Sequence, residues 1–264
     1  MKDILTKKTL YALMFWLLSA QTAAALSVKH FFDVSVGLFD AGSADFEYQL
    51  TNYNYAVHSN IYTRGMFDTL YPFAAHYATT GKFSNGKMLT QTYSYNSKSR
   101  FSKRTKEVIY SSKGIPLQII SSKNGREKIR KVKNSDNISG TTDLQSVVAA
   151  IVRQYNTAKT CNALLQVFDG KRRFDVIFKD LGPDEISVTE KSPYHGKAVK
   201  CSMYIDKLKE EGDDLLWKMT SESPVYFWIM EDTASRAPFI ARIQVENTPL
   251  GEMNVYTTKI EVKK

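Results

Sequence analysis

Histidine and cysteine are scarce in this chain of 264 residues, at four and two respectively, and that scarcity removes whole classes of chemistry. His30, His58, His76 and His195 show no H-x-x-x-H spacing, and two cysteines make no Cys-rich metal motif, so neither a metal nor another cofactor is expected. There is no G-x-S-x-G elbow to expose a serine nucleophile, and no glycine-rich loop to cradle a phosphate. Low-complexity linkers and sequence repeats are also missing, which favours one domain over residues 26–264. Two carboxylates would suffice for a glycosidase, but any chain with 27 Asp and Glu offers a pair, so that signal decides nothing.

Long apolar runs are absent except near the start. Lys2, Lys7 and Lys8 precede an apolar run from Leu10 to Ala20, and Ala23-Ala24-Ala25 follows with small residues of A-x-A type. This order predicts a signal peptide cleaved after Ala25, because the run is well short of the roughly 20 apolar residues that a spanning helix needs. No cysteine follows to carry a lipid anchor, and no later segment is apolar enough to cross a bilayer. The expected compartment is therefore the bacterial periplasm. There, Cys161 and Cys201 are expected to form a disulfide, since an even pair in an oxidising compartment oxidises.

What is abundant is turn chemistry between strand-forming runs. Asn85-Gly86, Asn124-Gly125 and Asp169-Gly170 each read as a hairpin of type I′, whose positive φ angles these pairs tolerate. Weaker turns are expected at Asp40-Ala41-Gly42, Lys113-Gly114, Leu181-Gly182-Pro183 and Thr248 to Gly251. Phe239, Ala241, Ile243 and Val245 alternate with Arg242, Gln244 and Glu246 as on a half-buried strand, and Cys201, Met203 and Ile205 repeat the pattern. Val225 to Met230 is apolar throughout, as in a central strand covered on both faces. One segment has helical period: Leu144, Val147, Val148, Ile151, Val152 and Tyr155 predict a helix from Asp143 to Asn156, with Thr141, Thr142 and Asp143 as candidate caps. The expected fold is mainly β: a large curved antiparallel sheet, or an open or partly closed barrel, with one helix plugging its open side.

From Cys161 onward an ordered set of features appears. Val167 to Val176 contains Phe168-Asp169-Gly170-Lys171-Arg172-Arg173-Phe174-Asp175; Cys201, the Val225–Met230 strand and Arg236-Ala237-Pro238 follow. This series resembles the exported bacterial proteins grouped as domain of unknown function 3108. Gly37 on a strand, Gly42, Tyr48, Gly65 and Gly114-Ile115-Pro116-Leu117 extend the resemblance upstream. It implies a β-rich envelope domain and carries no known activity or catalytic residue.

Within that motif, Asp169 and Asp175 could serve as paired carboxylates, and Arg172 and Arg173 could clamp an anion. Hairpin geometry already accounts for Asp169-Gly170, Phe168 and Phe174 are strand residues, and Arg173 with Asp175 would simply pair on one face. The stronger signal is charge. Between Lys98 and Lys133 lie twelve Lys or Arg and two Glu, a net of +10, whereas the whole chain carries +9. Lys123, Arg126, Lys128, Arg130, Lys131 and Lys133 flank Asn124-Gly125 and form the candidate anionic-surface site. Protection of an exposed edge strand by its lysines is the alternative reading and stays open beside the binding surface, although it would need fewer cations than these. Export removes nucleic acid from the reachable partners and leaves lipid, lipopolysaccharide and anionic polysaccharide. The expected activity is non-enzymatic binding of such an amphiphile or polymer; an envelope hydrolase, or a scaffold gripping a protein at a sheet edge, is the alternative.

Overall fold

In the computed structural model, residues 26–84, 87–133, 138–207 and 218–263 are described. Residues 1–25, where the signal peptide is expected, the Asn85-Gly86 pair and residues 208–217 lie outside them. Eight strands come first: β1 (Leu26–Val36), β2 (Phe39–Leu50), β3 (Asn54–Thr63), β4 (Phe73–Ser84), β5 (Lys87–Ser99), β6 (Lys103–Tyr110), β7 (Pro116–Lys123) and β8 (Arg126–Lys131). A short helix, α1 (Gly65–Leu70), joins β3 to β4, and a longer one, α2 (Ser146–Ala158), follows β8. Six strands complete the chain: β9 (Ala163–Phe168), β10 (Arg173–Ile186), β11 (Gly196–Lys207), β12 (Val225–Glu231), β13 (Pro238–Thr248) and β14 (Gly251–Lys263).

All fourteen strands form one antiparallel sheet with the order β8-β7-β6-β5-β4-β3-β2-β1-β14-β13-β12-β11-β10-β9. Two meanders therefore meet at β1 and β14, and β8 and β9 are the terminal strands. They do not pair, so the sheet is curved but not closed. The gap is bridged by the segment before α2: Thr142 forms a parallel bridge to Val167, donating to Gln166 O at 2.8 Å and accepting from Phe168 N at 2.9 Å.

Helix α2 lies against the concave side and belongs to two cores at once. Val147, Ile151 and Tyr155 pack with Phe174, Val176, Phe178, Phe227 and Ile229 of the second meander. Ala149 and Val152 pack with Val28, Tyr48, Tyr55 and Val57 of the first. The interior is thus filled by the helix rather than left as a lumen. Helix α2 begins three residues later than expected because Asp143 does not enter it. Its carboxylate instead accepts the backbone N–H groups of Gln145 (3.0 Å) and Ser146 (3.1 Å), as an N-terminal cap does.

The cysteines are joined, with Cα atoms 6.4 Å apart. The bond ties the start of β9 to β11 across β10, and closing a loop of 40 residues stabilises by about 4 kcal/mol in the chain-entropy account.

The turns divide. Asn124 and Gly125 have φ of 51° and 82°, as the type I′ hairpin requires. At Asp169-Gly170 only the glycine is positive, at 88°, and the loop spans four residues between the paired Phe168 and Arg173, so this hairpin is not type I′. Asp40-Ala41-Gly42 is no turn; it lies within β2, and the chain reverses at Gly37, which is therefore not on a strand. Leu181-Gly182-Pro183 is a bulge inside β10, where one extra residue is absorbed between Asp180 and Gly182. Lys113-Gly114 and Thr248 to Gly251 do connect strands. A bulge between Trp228 and Ile229 also breaks the alternation expected for β13. Phe239 and Ala241 pack with Trp228, whereas Ile243 joins Ile240, Phe227 and Ile229 on the other face.

Candidate functional site

Strand register sorts the basic stretch into two faces. Directly paired residues of an antiparallel sheet project from the same face, and alternate residues along a strand share it. One row across β5 to β8 is Tyr93, Val108, Ile119 and Arg130; Val108 and Ile119 are 2% and 5% exposed and belong to an interior cluster with Phe168. This is the concave face. The next row is Tyr95, Lys106, Ser121 and Lys128, and the one beyond it is Ser97, Arg104, Lys123 and Arg126. Six cations therefore line the concave side of β6 to β8: Arg104, Lys106, Lys123, Arg126, Lys128 and Arg130. Glu107 and Glu127, the two acids of the stretch, fall on the convex rows.

These rows border a groove of about 610 Å³, lined by Tyr95, Arg104, Lys106, Lys123, Arg126 and Lys128 among others. Glu127 reaches its margin from the edge of β8. Behind the cations, Tyr95 packs against Tyr77 with ring centroids 4.8 Å apart, and burial pushes the Tyr77 phenol up to about 12. The wall is therefore aromatic at its inner end and cationic at its outer end.

Two of the six cations serve the fold. Lys106 Nζ donates to Asp169 O at 3.1 Å, and an Arg130 guanidinium nitrogen donates to Gly170 O at 2.6 Å. The β9–β10 hairpin thus docks onto β6 and β8 across the gap between the terminal strands. Burial holds the Lys106 ammonium below its usual range, partly opposed by the Asp169 carboxylate. Arg104, Lys123, Arg126 and Lys128 remain exposed. Lys131 projects from the convex face instead, and Lys133 lies beyond the end of β8.

The motif residues pair two by two. Asp169 holds its own loop: it accepts the Lys171 and Arg172 backbone N–H groups at 2.7 Å each and pairs with the Arg172 guanidinium at 2.8 and 3.0 Å. Arg173 and Asp175 form an ion pair at 3.2 Å on the face of β10 opposite Phe174 and Val176. Each carboxylate is thus engaged by its own arginine.

One carboxylate buried in the concavity is Asp143, 2% exposed. It accepts from the hydroxyls of Thr79 (2.9 Å), Thr90 (3.0 Å) and Ser146 (2.5 Å) as well as from the two capping N–H groups. Tyr55 shares this network through Thr90 at 3.1 Å, and burial first, then Asp143, raises its phenol to about 12. Gly81 is required here, because a Cβ would stand 2.3 Å from the Tyr55 ring. Five donors converge on Asp143, three on Oδ1 and two on Oδ2, which makes it a fastener between helix and sheet. Among the described residues no three His, Cys, Asp or Glu converge as metal ligands. On the convex face Lys200 and Arg242 both cover Trp228, each at 5.1 Å, so that ring offers no open face to a sugar.

Sequence reasoning singled out the Lys123–Lys133 cations but not Arg104 and Lys106. Their signal was present: Arg104, Lys106, Val108 and Tyr110 alternate at period two and run from charged to apolar along one face of β6.

No curated protein matches the chain. Among solved structures it resembles a β-barrel-like protein of the DUF1849 family from Brucella abortus, with TM-score 0.52 and 9% identity, covering 90% of this chain and 98% of that one. At that identity the likeness speaks for the fold alone. The model of the family described as a protein of unknown function, DUF3108, matches residues 32–254, and by that match over most of its length the chain belongs to this family.

Proposed function

We propose that this protein is exported, processed after Ala25, and binds a phosphate- or carboxylate-bearing envelope molecule in the cationic groove of β5 to β8. The observation that carries this reading is the sorting of charge: six cations share the concave face while both acids of the stretch lie on the convex one. Folding alone explains Lys106 and Arg130. It does not explain Arg104, Lys123, Arg126 and Lys128, which gather like charge on adjacent strands at a cost in repulsion. A recessed groove suits a discrete headgroup or a polysaccharide strand better than a flat bilayer, and the Tyr95–Tyr77 pair offers aromatic contact to its less polar part. The disulfide is consistent with an oxidising compartment. The filled interior and the fully engaged Asp143 favour binding over hydrolysis.

The test compares two variants of equal charge. Lys123→Gln/Arg126→Gln/Lys128→Gln removes three groove cations, and Lys98→Gln/Lys103→Gln/Lys131→Gln removes three that project from the convex face. The groove variant should bind lipopolysaccharide at least about tenfold more weakly and with less salt dependence. The convex variant should bind as the parent does. Equal loss in both would mean that net charge alone is responsible, and the groove reading would fall. Intact mass of the protein from its native host should begin at Leu26.

A further inference from the structure

A second recess, distinct from the cationic groove, lies at the terminal strand β9. Its volume is about 540 Å³, and it is bounded by the outward side of α2, the start of β5 and the open edge of β9. Backbone groups of Gln166 and Phe168 point to that edge, since both bond Thr142 there. By the period of two, Leu164 presents its N–H and C=O in the same direction. The chain that covers the edge at Thr142 leaves it at Gly140, whose φ of 79° turns it away. Among the described residues no other backbone bond reaches this side of β9. Leu164 itself is 58% exposed.

The recess has the composition of a peptide site. Met88, Ala150 and Leu164 supply apolar contact, and Ala150 leaves room for a side chain from the incoming strand. Lys87 and Arg153 supply charge, and Arg153 is held in place by stacking on Phe83 at 4.2 Å. No acidic residue lines it. We propose that β9 is a strand-addition site for an extended, acidic peptide segment of a partner protein, which pairs with the backbone of Leu164 and the N–H of Gln166 and places a carboxylate against Arg153 and Lys87. Strand addition takes affinity from main-chain hydrogen bonds and specificity from alternate side chains. An edge left open beside a one-sided basic recess provides both.

The probe is a fluorescein-labelled nine-residue peptide of alternating Val and Thr ending in Asp-Glu, with a counterpart ending in Lys-Lys. Anisotropy should report binding of the acidic peptide, and at least about tenfold weaker binding of the basic one. Leu164→Pro removes a donor only from the open edge, where proline is tolerated, and should weaken binding by a similar factor. Lys87→Glu/Arg153→Glu, which leaves the strand untouched, should invert the preference between the two peptides. Hydrogen exchange on the parent protein should slow at the Leu164 and Gln166 amides when the acidic peptide is present. Absence of that protection, or binding indifferent to peptide charge, would overturn the proposal.

Discussion

The Lys106 ammonium donates to the Asp169 carbonyl at 3.1 Å, joining a half-buried cation of β6 to a hairpin 63 residues further along the chain. Gly170 sits directly against it: a Cβ there would lie 3.4 Å from Lys106 Cδ and 3.6 Å from Nζ, at a φ of 88°. Gly170→Ala should therefore lower stability by about 1–2 kcal/mol through backbone strain. Lys106→Met should lower it by about 1–3 kcal/mol by leaving the carbonyl without its donor. The two losses should add to within about 0.5 kcal/mol, because the first is strain in the Gly170 backbone and a Cβ there leaves the Lys106 contact in place. Urea unfolding of the two single variants and the double variant measures this directly.

Asp143 makes the opposite kind of contact, with many partners and no exposure. Asp143→Ala leaves the hydroxyls of Thr79, Thr90 and Ser146 without their acceptor and removes the α2 cap. A loss of about 3–5 kcal/mol is expected, at the upper end of single-residue effects. Binding at the cationic groove should persist in whatever fraction remains folded. A loss below about 1 kcal/mol would mean that the network does not fasten the helix.

His30 is buried in an aromatic surround, with Phe32, Tyr48, Phe46 and Phe239 centroids between 5.7 and 6.4 Å away, and neither ring nitrogen has a well-aligned partner. Burial lowers its pKa from 6.5 to about 4. The unfolded chain then binds the proton more readily than the folded one. Stability from this residue is full above pH 6.5 and declines as the pH falls toward about 4, by roughly 3 kcal/mol in total. In His30→Phe, stability measured across the same range should lack this component of the slope. An unchanged slope would remove His30 as its source.

The β class of the fold was legible because its signals are local. Asn124-Gly125, the continuous apolar run of β12 and the period of α2 each depend on a few neighbouring residues. The bulges were not, since Gly182 and Ala241 read as a turn and as an ordinary strand residue until a partner strand fixes the register. The same limit hid two of the six cations of the candidate site. Lys123, Arg126, Lys128 and Arg130 are visible as a charge run, but their common face with Arg104 and Lys106 follows only from β6 pairing with β7 and β7 with β8. The Asp143 network was out of reach altogether: Thr79 and Thr90 lie 64 and 53 residues from it and carry no charge or spacing to mark them.

Every neighbouring pair of strands in the sheet is consecutive in sequence except β1 and β14, where Val28 faces Val262. A ribosome releases β1 first and its partner last. Through nearly all of synthesis the first strand therefore has β2 on one side and an unsatisfied edge on the other, which is the situation that invites pairing between chains. Lys29 and Asp33, both on β1, place a charge of each sign along that waiting edge. The last hairpin to emerge supplies the seam that joins the two meanders. Truncation from the C-terminus would accordingly do more than shorten the sheet: it would leave two ribbons held together through α2 and the β9–β10 hairpin, with their central edges bare.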